Sequence, residues 1–277
     1  MIGKMGSAPE KNGSFARLGG IVLRTNYHTH TTRCHHATGT PEEYIRCAVE
    51  QNFTVLGFAD HSPYFFDGDY YSSFRMRPEE LPEYMTELTA LREAFREKIA
   101  LHIGLEAEYY PAQFPRLRDY LRECGVEYLI MGQHFPGVEQ GGFYSAEETR
   151  EEERLRQYCY SVMEGLNTGA FSYLAHPDMC HFVGEDAVYT RYMRQLCREA
   201  NGCGLPLEIN LLGVRDNRFY PRRRFWEIAA EEGCRVILGY DAHDPQALAN
   251  TAQVETALAL VKELSLTRVE QVELRKI

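Results

Sequence analysis

Short apolar runs alternate along the chain with longer stretches in which apolar residues return every three or four positions. The first pattern predicts buried strands and the second amphipathic helices. Strands are predicted over 21–28, 53–59, 100–105, 127–131, 171–175, 205–209 and 235–238. Helices are predicted over 42–51, 78–98, 114–123, 146–168, 186–200, 222–231 and 245–264. Thr40 and Pro41 suit an N-cap and first-turn pair, and Leu81, Met85, Leu88, Leu91 and Phe95 keep near-helical spacing. Between these elements lie an aromatic loop, 62–76, a Gly-rich loop, 137–142, and a loop at 211–221 carrying Arg215 and Arg218. The amphipathic tail, 267–277, is expected to be one more helix packed on the outside. Strict strand-then-helix alternation over 277 residues predicts an α/β chain of seven strands, a comfortable length for one barrel. Residues 1–20, rich in Gly, Ser, Lys and Asn, are expected to be a flexible leader, with 21–277 a single barrel domain.

The polar residues that end the strands carry the chemistry. Six predicted strands run into a residue able to bind metal: His28/His30, Asp60/His61, Glu106, His134, His176 and Asp241/His243. The seventh ends at Asn210. In a β/α barrel all C-terminal strand ends share one face, so residues two hundred positions apart become neighbours. The densest stretch is 27–36, which holds four of the ten histidines. In an extended chain residues two apart point the same way, roughly 6–7 Å apart, so His28 and His30 can aim at one ion. His35 or His36 then returns from the loop. Cys34 lies inside this stretch as a candidate extra ligand, but it falls out of phase with the His28/His30 pair, so a packing or loop role is expected. Nine such imidazole and carboxylate groups suit two or three Zn, Fe or Mn ions, with a carboxylate such as Glu106 placed to bridge. Clustered dications activate water and stabilise charge on a phosphoryl oxygen, so phosphate-ester hydrolysis is the expected reaction class.

Composition narrows the field. With 40 acidic against 30 basic residues the net charge is −10, a poor match to non-specific nucleic-acid binding. Eight scattered cysteines without a Cys-x-x-Cys pair are expected to be reduced, mostly packed thiols. No apolar run is long enough to span a bilayer and residues 1–20 lack a signal-like apolar core, so no membrane contact and a cytoplasmic location are expected. No P-loop or nucleophile-elbow motif is present.

His28-Thr29-His30, Asp60-His61, Gly104-Leu105-Glu106, Gly132-Gln133-His134, Ala175-His176-Pro177 and Asp241-Ala242-His243 resemble, in order, the motifs of the PHP (polymerase and histidinol phosphatase) superfamily. Ala59-Asp60-His61-Ser62-Pro63 and Gly132-Gln133-His134-Phe135 look like its monofunctional histidinol-phosphatases. The resemblance implies a distorted (β/α)7 TIM-like barrel and hydrolysis of L-histidinol phosphate, a step of histidine biosynthesis, by a hydroxide bridging ions of a trinuclear site. It implies one ion on His28, His30, Glu106 and Asp241. Glu106 would bridge to a second ion on His134 and His176, and His36, His61 and His243 would hold a third. Asp60 would orient its loop. Asp241 or His243 would move protons. Tyr240 stands where the family often has a small residue and is expected to alter the pocket wall; Ala59 replaces a common threonine. Arg215 is the expected phosphate clamp, with Arg218 and Arg33 as rivals; Glu108, Asp67 and Asp69 are candidates for the substrate's basic groups. Nucleotides, oligonucleotides or another small phosphomonoester are the alternative substrates, and a catalytically silent metal-binding barrel is the second alternative.

Overall fold

The structure is a computed structural model that describes residues 23–277. The expected leader, 1–20, and the first two positions of the first predicted strand lie outside the described residues. Eight parallel strands follow one another in chain order in a single curled sheet. They are β1 (Thr25–Asn26), β2 (Val55–His61), β3 (Ala100–Ala107), β4 (Tyr128–Met131), β5 (Phe171–Leu174), β6 (Leu207–Asn210), β7 (Arg235–Gly239) and β8 (Thr267–Arg268). The helices between them are α1 (Pro41–Glu50), α2 (Leu81–Phe95), α3 (Phe114–Glu123), α4 (Glu152–Asn167), α5 (Asp186–Gly202), α6 (Leu211–Arg215), α7 (Arg223–Glu231) and α8 (Thr251–Glu263).

Two apolar layers hold this arrangement. Outside the strands, residues such as Leu56, Phe58, Leu105, Leu129, Leu174 and Leu238 pack against helix residues such as Tyr44, Leu88, Leu166, Leu196 and Trp226. Inside, Tyr27, Val55, Tyr128, Ile130, Tyr173 and Ile237 fill the lower half of the barrel. A filled floor of this kind makes the interior a core and leaves only the upper rim for chemistry. The rim is aligned by register. β2 and β3 pair from Val55↔Ala100 to His61↔Glu106, so the last residue of one strand faces the site carboxylate of the next. Among the described residues the first and seventh strands meet at the top, through a Thr29↔Ala242 bridge with His30 N donating to Ala242 O at 2.9 Å.

The bottom of that seam is filled by the tail, which corrects the sequence expectation of a helix. β8 adds to β7 through Arg235↔Thr267 and Val236↔Arg268. The chain then runs on without helix, and the Thr25 hydroxyl donates to Glu270 O and Arg275 N to Ser172 Oγ. Val269, Val272 and Leu274 pack onto the interior floor. β8 pairs with β7 at the open seam, and beyond Arg268 the chain forms neither helix nor strand.

Other boundaries moved: α2 spans Leu81–Phe95 within the predicted 78–98, with 78–80 a 3-10 turn. α4 starts at Glu152 rather than 146, because Thr149 bridges Phe182 and spends its backbone there. The last predicted helix breaks at Asn250, whose extended backbone and side chain cap α8 by accepting from Ala252 N. The loop after β6 contains α6, capped by Asn210 Oδ1 accepting from Gly213 N. Among the described residues no helix is long and apolar enough to cross a membrane.

Candidate metal centre

The upper rim gathers the nine residues expected to hold metal: His28, His30, His36, His61, Glu106, His134, His176, Asp241 and His243. Past β1 the extended chain buries both His28 and His30 completely. Asn26 fixes that segment, its Nδ2 donating to His28 O and its Oδ1 accepting from Tyr240 N. Asp60 fixes the next turn: its Oδ2 accepts from Thr31 N at 3.0 Å, and its Oδ1 accepts from His61 N at 2.8 Å. A short 3-10 turn, Thr32–Cys34, ends at His35 with φ +66°. That reversal sends His35 outward, beside Arg33, Glu83 and Glu87, and brings His36 back beside His61 and His243. His176 and Asp241 also have positive φ, 28° and 49°. Left-handed backbone at non-glycine residues is uncommon, and here it turns two strand ends so that their side chains enter the mouth.

Glu106 is the hub. His176 Nε2 lies 2.7 Å and His61 Nδ1 3.0 Å from its carboxylate. His28, His30 and His134 present Nε2 at 3.6, 3.7 and 3.8 Å. Asp241 Oδ1 lies 3.0 Å from His30 Nε2 and 3.5 Å from His28 Nε2. The groups His28–His30–Glu106, His28–His176–Asp241, His61–Glu106–His134 and His36–His61–His243 each place their ligand atoms within 4.8 Å of one another. Close packing of Glu106 depends on the next strand's exit: a Cβ on Gly132 would lie 1.8 Å from Glu106 Oε1.

Divalent cations fit this set. His28 Nε2, both ring nitrogens of His30, His61 Nδ1, His243 Nε2, Glu106 Oε2 and Asp241 Oδ1 are buried with no hydrogen-bond partner. Unpaired buried polar atoms are costly and rare, and here they converge. Burial works against the Glu106 and Asp241 charges, yet the surrounding imidazoles hold both carboxyls well below the usual range. Burial likewise opposes a charge on His28, and Glu208, Asp241 and Glu106 override it, raising that imidazole to about 10. His61 is pushed well below its ordinary value by burial and then by the charge of His30.

A second layer was missed in the sequence. Glu208, wholly buried in β6, accepts from His28 Nδ1 at 2.9 Å and from Asn210 Nδ2 at 3.0 Å. Asn210 Nδ2 also reaches Asp241 Oδ2 at 3.1 Å. Glu108 accepts from His134 Nδ1 at 3.0 Å and is clamped by the buried Arg75, which also binds Glu139 at 2.6 Å. Such carboxylates fix which ring nitrogen faces the ion. For Glu208 the available signal was a charged residue inside a largely apolar strand, two positions before Asn210 on the same face.

Above the cluster opens a cavity of about 760 Å³. Its lining includes Phe74, Phe135, Tyr144, Tyr220, Arg215, Arg218 and Glu147. Of the aromatic loop, Phe74 reaches it, edge-on to His61 at 5.1 Å. Arg215 stands at the cavity with its guanidinium bonded to Asp216 and Asp244, and Arg218 bonds Tyr220 and Asp216. Other expectations fail here. Arg33 is turned away onto Glu83 and Glu87. Glu108 is occupied by His134 and Arg75, and Asp67 and Asp69 line a separate depression. Tyr240 belongs to the outer core, against Phe53, and does not form the pocket wall. Cys34 keeps its expected loop position, buried in the 3-10 turn, and stands beside His30 and His243 outside both apolar layers.

A parallel barrel with imidazoles and carboxylates converging at its strand ends defines a TIM-like protein built around a multi-ion metal centre. Residues 26–211 match the PHP domain, and the chain belongs to that family. It is 32% identical to a probable histidinol-phosphatase of Deinococcus radiodurans over 227 residues, 79% of this chain and 85% of that protein. It is 26% identical to a probable histidinol-phosphatase of Schizosaccharomyces pombe over 79% of this chain and 80% of that one. The fold matches the crystal structure of Lactococcus lactis histidinol phosphate phosphatase complexed with Zn, L-histidinol and phosphate, at TM-score 0.71 and 19% identity, covering 91% of this chain and 99% of that one.

Proposed function

We propose that this chain is a metal-dependent phosphomonoesterase that hydrolyses L-histidinol phosphate to L-histidinol and phosphate. The observation that carries the reading is the set of unpaired, buried ligand atoms around Glu106, opening into a cavity that also holds two arginines. The names of the two relatives and the ligands of the Lactococcus structure support the choice of substrate. A cavity of about 760 Å³ is also of the size that takes a small ligand.

In this reading His28, His30, Glu106 and Asp241 would hold one ion, Glu106, His134 and His176 a second, and His36, His61 and His243 a third. Divalent ions there supply positive charge to phosphoryl oxygens and make water a nucleophile near neutral pH. The chain's own groups do the rest. Glu208 and Glu108 hold the His28 and His134 rings in place. Arg215 and Arg218 meet the phosphate from the α6 side, Arg215 being the main clamp because a guanidinium suits bidentate contact. Phe74, Phe135 and Tyr144 shield the reacting end from bulk water, and Glu147 offers a carboxylate to the substrate's ammonium. His243 Nδ1 donates to Asp241 O at 2.9 Å, so its Nε2 faces the site for ligation or proton transfer.

Steady-state phosphate release tests this, with protein stripped of metal and reloaded separately with Mn, Zn or Fe(II). L-Histidinol phosphate should exceed a mononucleotide and an aryl phosphate in kcat/KM by orders of magnitude. Arg215→Ala should raise KM for histidinol phosphate substantially. Turnover of only the other esters would remove the substrate assignment. An unchanged KM and kcat would remove Arg215 from the site.

A further inference from the structure

Five of the eight cysteines, Cys47, Cys159, Cys180, Cys197 and Cys234, are buried in the apolar layer between strands and helices. Cys34 is as completely buried as any of them, yet it belongs to neither apolar layer. Its neighbours are imidazoles. The 3-10 turn that follows His30 closes through Cys34 N donating to Thr31 O, and Thr31 is itself tied to Asp60. This turn carries the thiol back over the His28/His30 stretch. A ligand atom of His30, the Cys34 sulfur and a ligand atom of His243 lie within 4.8 Å of one another.

A second observation points to a ligand there. His30 is wholly buried and neither of its ring nitrogens has a hydrogen-bond partner. Its Nε2 faces Asp241 at 3.0 Å, while Nδ1 stands 3.4 Å from Asp60 without a hydrogen bond. His243 Nε2 is also buried and unpartnered. The other nitrogen of His243 and that of His36 are both engaged with backbone carbonyls, Asp241 O and Cys34 O. The carbonyl of Cys34 thus sets the His36 ring, and its sulfur faces the same group of imidazoles.

We propose that Cys34 is a sulfur ligand of the metal centre, binding the ion at the His243 side of the cluster. Binding replaces the thiol proton, which leaves to solvent, with a metal–sulfur bond; no electron is transferred. A thiolate among imidazoles selects Zn, Fe(II) or Co(II) over Mn or Mg at that position. The inference rests on the metal centre and not on the choice of substrate.

Cobalt is the probe. Metal-free protein loaded with Co(II) to full occupancy should show thiolate-to-cobalt charge-transfer absorption in the near ultraviolet, and Cys34→Ser or Cys34→Ala should lack it. The same variants should lose Zn affinity at one site by at least the ~10-fold that losing an outer-shell partner costs, with Mn affinity little changed. Full cobalt occupancy without the band in the wild type overturns the proposal, as does a band that survives both substitutions. The wild-type spectrum decides even if the variants fold poorly. A cobalt–sulfur band in a protein inactive on histidinol phosphate would leave this inference standing and remove the substrate reading alone.

Discussion

Glu208 has no exposed surface and sits mid-strand between Leu207 and Ile209, where the His28 ring, Asn210, the Tyr173 hydroxyl and the His176 backbone N–H meet its carboxylate. It holds His28 in the orientation that points Nε2 at Glu106. Glu208→Ala should lower metal affinity by about 10–100-fold, and Glu208→Gln, which keeps an acceptor but not the charge, by less. Calorimetric titration of the metal-free protein reads this directly, and equal affinity in all three would show that Glu208 does not orient the ligand. Gly132 makes a steric version of the same point. An alanine methyl there would stand 1.8 Å from Glu106 Oε1, so Gly132→Ala must displace the carboxylate on which five imidazoles converge. The variant should bind fewer ions per chain by elemental analysis while keeping its far-ultraviolet circular dichroism. Full metal content would mean that the backbone yields instead. At this scale the converging imidazoles and carboxylates were legible, as was the orienting role of Asp60, and the other supports were not. A histidine announces its chemistry, whereas Glu208, Glu108 and Arg75 take on meaning only from the partner that burial gives them.

Strand ends were legible because the barrel repeats one rule, apolar run then polar terminus, and the C-terminal ends of parallel strands fall on one face. Elements whose form depends on a distant partner were not. Thr149 leaves the helical pattern to bridge Phe182, and the tail starts as a short strand because the β7–β1 seam is open beneath the Thr29–Ala242 bridge. The tail's contribution can be measured. Deleting residues 270–277 removes the half-buried Val272 and Leu274 from the barrel floor and leaves Tyr27, Val55 and Tyr128 open to water. At roughly 1 kcal/mol for each half-buried aliphatic side chain, the loss is about 2 kcal/mol or more. A chain of this length should then melt about 4 °C or more lower. Because the floor lies below the cluster, metal stoichiometry should stay constant. An unchanged melting temperature would show that the tail covers the floor without stabilising it.

The whole molecule carries a net charge of −10, and at the barrel mouth it buries the Glu106 and Asp241 carboxylates, held ionised by the imidazoles around them. Without ions, protons do what cations do in the loaded protein. His28 is the clearest case: burial disfavours its charge, but Glu208, Asp241 and Glu106 raise it to about 10. The sign of the linkage follows. A folded-state value above the unfolded 6.5 gives a stabilisation fully present below about pH 6.5 and lost as pH rises through about 10. The metal-free protein should therefore lose stability between about pH 7 and 10. A divalent ion cannot share the His28 Nε2 lone pair with that proton, so loading must expel it, and affinity should rise as pH rises through the same window. Two measurements check this. Metal addition near pH 7 in weak buffer should release at least one proton per chain, read with an indicator dye. The gap in melting temperature between loaded and metal-free protein should widen from about pH 7 to about pH 9. Binding without proton release, or a gap independent of pH, would mean that the ion-free cluster is neutral and that the buried carboxylates are balanced by something other than the imidazoles around them.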